Sequence, residues 1–100
     1  MYLNENSAQK NLIINTMKPN LKLRKEIFNI IDNQLKNKDP PETTLTFKRL
    51  KSEGFDDFTV KQLIGQCVAV EIYNIMKYKK PFDEKRYIKN LSNLPKEPFE

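Results

Sequence analysis

The sequence has no histidine and no tryptophan, a single cysteine and only two glycines among its 100 residues. Without histidine there is no imidazole to relay a proton or bind a transition metal. The lone Cys67 has no partner for an internal disulfide and cannot by itself supply a soft-metal site. The sequence therefore predicts a protein without metal or cofactor. Two glycines and six prolines exclude a collagen-like or linker-rich chain. No glycine-rich phosphate loop, dinucleotide fingerprint or calcium loop is present. No apolar run approaches the roughly 20 residues that cross a bilayer, so no membrane association is expected. The first residues, "MYLNENSAQKNLIINTM", lack both a basic leader and a small-residue cleavage site, and the expected location is cytoplasmic.

What the chain does have is charge. Eighteen basic and thirteen acidic side chains give a net +5, against a hydrophobic fraction of 38%. Such a balance favours solubility and draws a protein towards anions without specifying one. Lysines are spread over the polar positions of every predicted element. The one dense run, "KYKKP", sits where a helix should end, and cations there are favoured by the helix dipole alone. Lys77, Lys79, Lys80, Lys85, Arg86 and Lys89 form the candidate basic patch.

Periodicity predicts an all-α fold, a small bundle of about four helices joined by short loops. The helices are expected near 20–36, 41–53, 57–79 and 84–92. Residues 1–19 form an arm whose apolar cluster Leu12, Ile13 and Ile14 fits strand or helix equally, 20–94 the helical domain, and 95–100 a tail. In the first helix Leu23, Ile27, Ile31 and Leu35 share one stripe, widened by Phe28 and Ile30. In "KDPPETTLTFKRLKSEG", Asp39 is placed to cap, Pro40 to open the helix and Glu42 to complete a capping box, with Gly54 as terminator. Thr43, Phe47 and Leu50 face inward. The third helix takes Asp56, Asp57 or Thr59 as its cap. Its apolar side comprises Val60, Leu63, Ile64, Cys67, Val68, Ile75 and Tyr78. Asp83 caps the fourth, with Phe82 and Tyr87 at the spacing of a hydrophobic staple and Ile88 and Leu91 inward.

Two charges fall on apolar faces: Glu71, within "LIGQCVAVEIYNIM", and Arg24. Burial raises a carboxyl pKa and suits a general acid or base. However, no second carboxylate stands one helical turn from Glu71, and no serine lies in a nucleophile elbow. Asp32 and Glu26 lie off the inward face, which disfavours a hard-metal site. An isolated buried carboxylate is costly, and a hydrogen-bonded cation is the usual remedy. The sequence therefore predicts an internal ion pair, with Arg24 as partner because its fork binds both carboxylate oxygens, and Arg49 as the reserve. Cys67 lies inside the apolar face and is expected to pack. The aromatics Phe47, Phe58, Tyr73, Tyr78, Phe82 and Tyr87 fall at helical spacing, which suits a core better than a base-stacking platform. In "GFDDFT" the acidic pair opposes phosphate beside a would-be recognition helix.

Taken together, "NLKLRKEIFNIIDNQL", "DPPETTLTFKRLKSEGF" and the long third helix resemble a bacterial family of short proteins known as domain of unknown function 1841. The resemblance covers roughly residues 20–94. Asn20, Leu23 and Gln34 match its first helix, as do Pro40, Pro41 and Glu42 at the "PPE" step, then Arg49, Leu50 and Gly54. Glu71, Ile72 and Tyr73 fit a Glu-Ile-Tyr signature, and Pro81, Phe82 and Asp83 a Pro-Phe-Asp step. The family's two histidine pairs, one helical turn apart and suited to metal, fall here on Arg24 with Phe28 and on Phe58 with Gln62. The resemblance implies an all-helical domain and no assigned activity, and the substitutions remove the family's candidate metal ligands.

Two functions fit these observations. The first is a non-enzymatic structural or protein-interaction module, or a homodimer, because a short chain with a broad apolar third helix leaves flanks to cover. The alternative is weak, nonspecific nucleic-acid binding through the basic patch. A large exposed apolar patch favours the first, and lysines grouped on one face favour the second.

Overall fold

The computed structural model describes residues 21–98. Four helices succeed one another: α1 (Leu21–Asn37), α2 (Pro41–Ser52), α3 (Asp57–Tyr78) and α4 (Glu84–Asn93). No strand occurs among the described residues. The protein is thus an all-α bundle with short links, as the periodicity requires. The expected arm over 1–19 and Asn20 lie outside the described residues.

Helix ends follow local chemistry, with one correction. Asp56 caps α3 by accepting from the Thr59 backbone N–H at 2.8 Å, and Asp83 caps α4 by accepting from that of Arg86 at 3.1 Å. Phe82 and Tyr87 close the expected staple edge to face, with ring centroids 5.3 Å apart. Asp39 does not cap α2. The cap position is Pro40, which offers no side-chain acceptor, and Pro41 rather than Pro40 opens the helix. With its ring nitrogen carrying no hydrogen, Pro41 leaves one fewer orphan donor to satisfy. Gly54, at φ +104°, follows the last turn of α2 in a region that disfavours L side chains. Lys79, at φ +57°, caps the end of α3 and donates its N–H to the Ile75 carbonyl, two residues before Pro81.

The core is built around α3, which packs against all three other helices. Ile27 and Ile31 of α1, Leu50 of α2, Val60, Ile64, Cys67 and Val68 of α3, and Tyr87 and Leu91 of α4 are completely or almost completely buried. Gly65 is buried where α1 crosses α3. A β-carbon there would meet the Ile27 side chain at 3.4 Å, at the edge of ordinary van der Waals contact. Being surrounded on three sides, α3 also buries Ala69 and Val70, beyond its expected stripe. Ile75 and Tyr78, expected inward, are instead exposed, because no other helix among the described residues covers the last turn of α3. Leu94 is 2% exposed and belongs to the core, not to the tail that follows it.

Candidate functional site

Glu71 has no exposed surface. Its carboxylate meets a guanidinium, as expected, but the partner is Arg86. The Arg86 Nε donates to Oε2 at 2.7 Å and its Nη2 to Oε1 at 3.0 Å, a bidentate contact. The Asp83 backbone N–H also donates to Oε1, at 2.9 Å. In a capping box, a glutamate at the third helical position accepts from the N–H of the cap residue. In α4 that position is Arg86, and Glu71 supplies the acceptor from the neighbouring helix. One carboxylate thus fixes the start of α4, docks it on α3 and brings the Glu-Ile-Tyr and Pro-Phe-Asp motifs together.

Neither sequence candidate for this role fills it. The half-buried Arg24 lies on α1 and is not among the groups that meet the carboxylate. Arg49 donates instead to the carbonyls of Leu94 at 3.0 Å and Leu91 at 3.1 Å, and to Glu53 at 2.9 Å. It neutralises the carbonyl end of α4, where the helix dipole favours a cation. Arg86, expected in the basic patch with Lys85 and Lys89, is instead the partner of Glu71. The short link 79–83 was the missed signal, since it returns the chain so that the start of α4 lies against α3.

A second polar cluster joins three helices. Gln34 of α1 accepts at Oε1 from Thr43 of α2 at 2.7 Å and from the Tyr87 hydroxyl of α4 at 2.8 Å. The backbones of α1 and α4 do not adjoin, and this cluster bridges them. Thr43 and Tyr87 are fully buried. Gln34, one of the family-motif positions, therefore has a structural task in this chain.

The remaining motif positions separate. Phe28 and Phe58 pack edge to face, with ring centroids 5.9 Å apart. Arg24 is half-buried and Gln62 is exposed. Pro40, Pro41, Glu42 and Gly54 shape the ends of α2. No group of three or more Cys, Asp or Glu side chains converges among the described residues.

Burial pushes the Cys67 thiol up to about 12, with a further upward push from the Glu71 charge. Burial also raises the Tyr87 phenol to about 12, against the opposing hydrogen bonds with Thr43 and Gln34. Both groups hold their protons more tightly folded than unfolded. The stability they contribute is fully present below the unfolded values of 9.0 and 10.0, and is lost as pH rises towards 12. Native protein is expected to leave its thiol unreactive towards a disulfide reagent at pH 8. The denaturation midpoint should fall between pH 9 and 11, with a shallower fall in Cys67→Ala. Rapid thiol labelling of native protein at pH 8, or identical pH slopes, would refute this.

The surface offers two features. Between α2 and α4 runs a groove of about 250 Å³, lined by Glu42, Leu45, Thr46, Arg49, Ile88 and Ser92. It is smaller than the usual 300–1,000 Å³ of a small-molecule pocket, and its guanidinium is already engaged. The second is the α3–α4 corner. Every residue from 75 to 85 is exposed, the longest such stretch among the described residues. It holds Ile75, Met76, Tyr78 and Phe82, four of the seven exposed large hydrophobic residues among the described residues. Between them lie Lys77, Lys79, Lys80 and Lys85. Lys77 reaches the Tyr73 hydroxyl at 2.9 Å and lies near both the Tyr73 and Tyr78 rings. Lys89 is exposed one turn further along α4, while Arg86 leaves the expected basic patch for Glu71. No helix among the described residues is long and apolar enough to cross a membrane. No family model, curated protein or solved structure matches this chain.

Proposed function

We propose that this protein is a small non-enzymatic interaction module whose contact surface is the α3–α4 corner. The observation that carries this reading is the concentration of exposed apolar side chains in residues 75–85. Scattered single apolar residues are normal on a surface, and grouped ones mark contact sites. The charged and polar groups that would otherwise invite a catalytic reading are engaged internally: Glu71 with Arg86, Gln34 with Thr43 and Tyr87, and Arg49 with the end of α4. We also propose kinship with domain of unknown function 1841, on the order and spacing of the motifs from Asn20 to Asp83.

The test is affinity capture of tagged protein from its native cell, wild type against Met76→Ser/Tyr78→Ser. Phe82 is left intact because it staples Tyr87. A partner retained by the wild type and lost by the variant supports the reading. Identical captures from both would reject it.

The grouped lysines favour a second reading, weak and nonspecific nucleic-acid binding. Its affinity for a duplex oligonucleotide should fall steeply as salt rises from 50 to 200 mM and be indifferent to sequence. Tight binding to one defined sequence would contradict it.

A further inference from the structure

Resting on the interaction reading, we infer that the α3–α4 corner recognises an acidic polypeptide segment that carries aliphatic or aromatic side chains between its carboxylates. The exposed side chains of 75–85 include two kinds of contact group, apolar and cationic, in alternation: Ile75 and Met76, Lys77, Tyr78, Lys79 and Lys80, then Phe82 and Lys85. Each excludes a class of occupant. Four lysines facing their own copies would repel, which disfavours a second copy of this chain unless each is met by a carboxylate. The stretch itself offers only two carboxylates against these four lysines, Asp83, which caps α4, and Glu84.

The remaining occupants are anionic. A phosphate backbone rewards the lysines but gives nothing to Ile75 and Met76, because backbone contacts are polar. A lipid leaflet would accept the apolar residues, but its negative charge is continuous, and Asp83 and Glu84 stand exposed within the same stretch. A polypeptide meets both conditions, since it can set carboxylates against Lys79, Lys80 and Lys85 and a neutral residue against Glu84. The groove between α2 and α4 is not part of this surface, as none of its lining residues comes from 75–85. The exposed corner suits an extended or helical segment with apolar anchors better than a small molecule.

The experiment is titration of the isotope-labelled full chain with three synthetic dodecapeptides, followed by backbone amide resonances. In the first, Glu or Asp flanks every Leu or Phe. In the second, Lys replaces each acidic residue. In the third, Ser replaces each apolar one. The first peptide should shift the amides of 75–85 and leave those of α1 unmoved. Lys80→Glu/Lys85→Glu, which alters neither helix cap, should weaken it by about ten-fold or more. Met76→Ser/Tyr78→Ser should weaken it as well. Equal binding of the first two peptides would reject the acidic class and leave the apolar contact standing. Equal binding of the first and third would reduce the surface to charge alone and overturn the inference. Failure of both the first and second peptides to move 75–85 would remove the corner as an interaction surface, and the proposed function with it. Phosphatidylserine vesicles or a single-stranded oligonucleotide shifting these amides where the first peptide does not would overturn the polypeptide assignment.

Discussion

Replacing Arg86 by methionine is expected to lower the unfolding free energy by about 4 kcal/mol, and replacing Glu71 by glutamine by about 2–3 kcal/mol. Breaking a buried ion pair from one side costs 3–5 kcal/mol because the other charge is left uncompensated. The asymmetry follows from exposure. The Glu71 side chain has no contact with solvent, so losing Arg86 leaves it, among the described residues, with the Asp83 N–H. The Arg86 side chain is 22% exposed and can turn towards water, which discounts the loss of Glu71. Glutamine also keeps an acceptor for the cap residue. Replacing the pair together by leucine and methionine should recover much of the loss, since well-packed apolar substitutes for buried ion pairs are often neutral or better. A double-mutant cycle by urea unfolding measures the coupling. Additive single effects, or coupling of Glu71 to Arg24 in place of Arg86, would refute the assignment. A domain of marginal stability, about 5–15 kcal/mol, has little to spare for such a loss.

Tyr87→Ala should cost about 3–5 kcal/mol, and Tyr87→Phe about 1 kcal/mol. The alanine substitution removes a fully buried ring from the centre of the core, together with its contact to Phe82. The phenylalanine substitution removes only the hydroxyl. Gln34 Oε1 keeps its bond from Thr43, so no acceptor is orphaned, and the loss is that of the bond to Gln34 with the long 3.5 Å contact to Thr43. Thermal and urea unfolding of both variants check this pair. Similar losses would mean that the hydroxyl, through its bridge between α1 and α4, outweighs the ring. The phenylalanine variant should also shed part of the alkaline sensitivity, because its side chain has no phenol to ionise between pH 10 and 12.

The local structure of this protein is written in short stretches of its sequence. Asp56 and Asp83 stop the preceding coil and start helices because a carboxylate accepts the orphan N–H three residues on. Phe82 and Tyr87 meet because residues on either side of a cap lie on one face. Ile27 with Ile31, and Ile64 with Cys67 and Val68, are buried because three- and four-residue spacing puts them in one stripe. That Glu71 needs a cation also follows from its place among apolar neighbours. Its partner does not follow, because periodicity fixes directions around one helix axis and carries no information about which helix lies opposite. The return of the chain after Lys79 set Arg86 against Glu71, and the placement of α4's last turn gave Arg49 two carbonyls to bind. The same limit explains Ile75 and Tyr78. They continue the apolar stripe of α3, but the stripe outruns the helices that cover it, and coverage is a property of the packed bundle alone. The sequence by itself determined the elements and the charges that require partners. Only the tertiary structure decided which partners they have and which apolar side chains remain exposed to solvent.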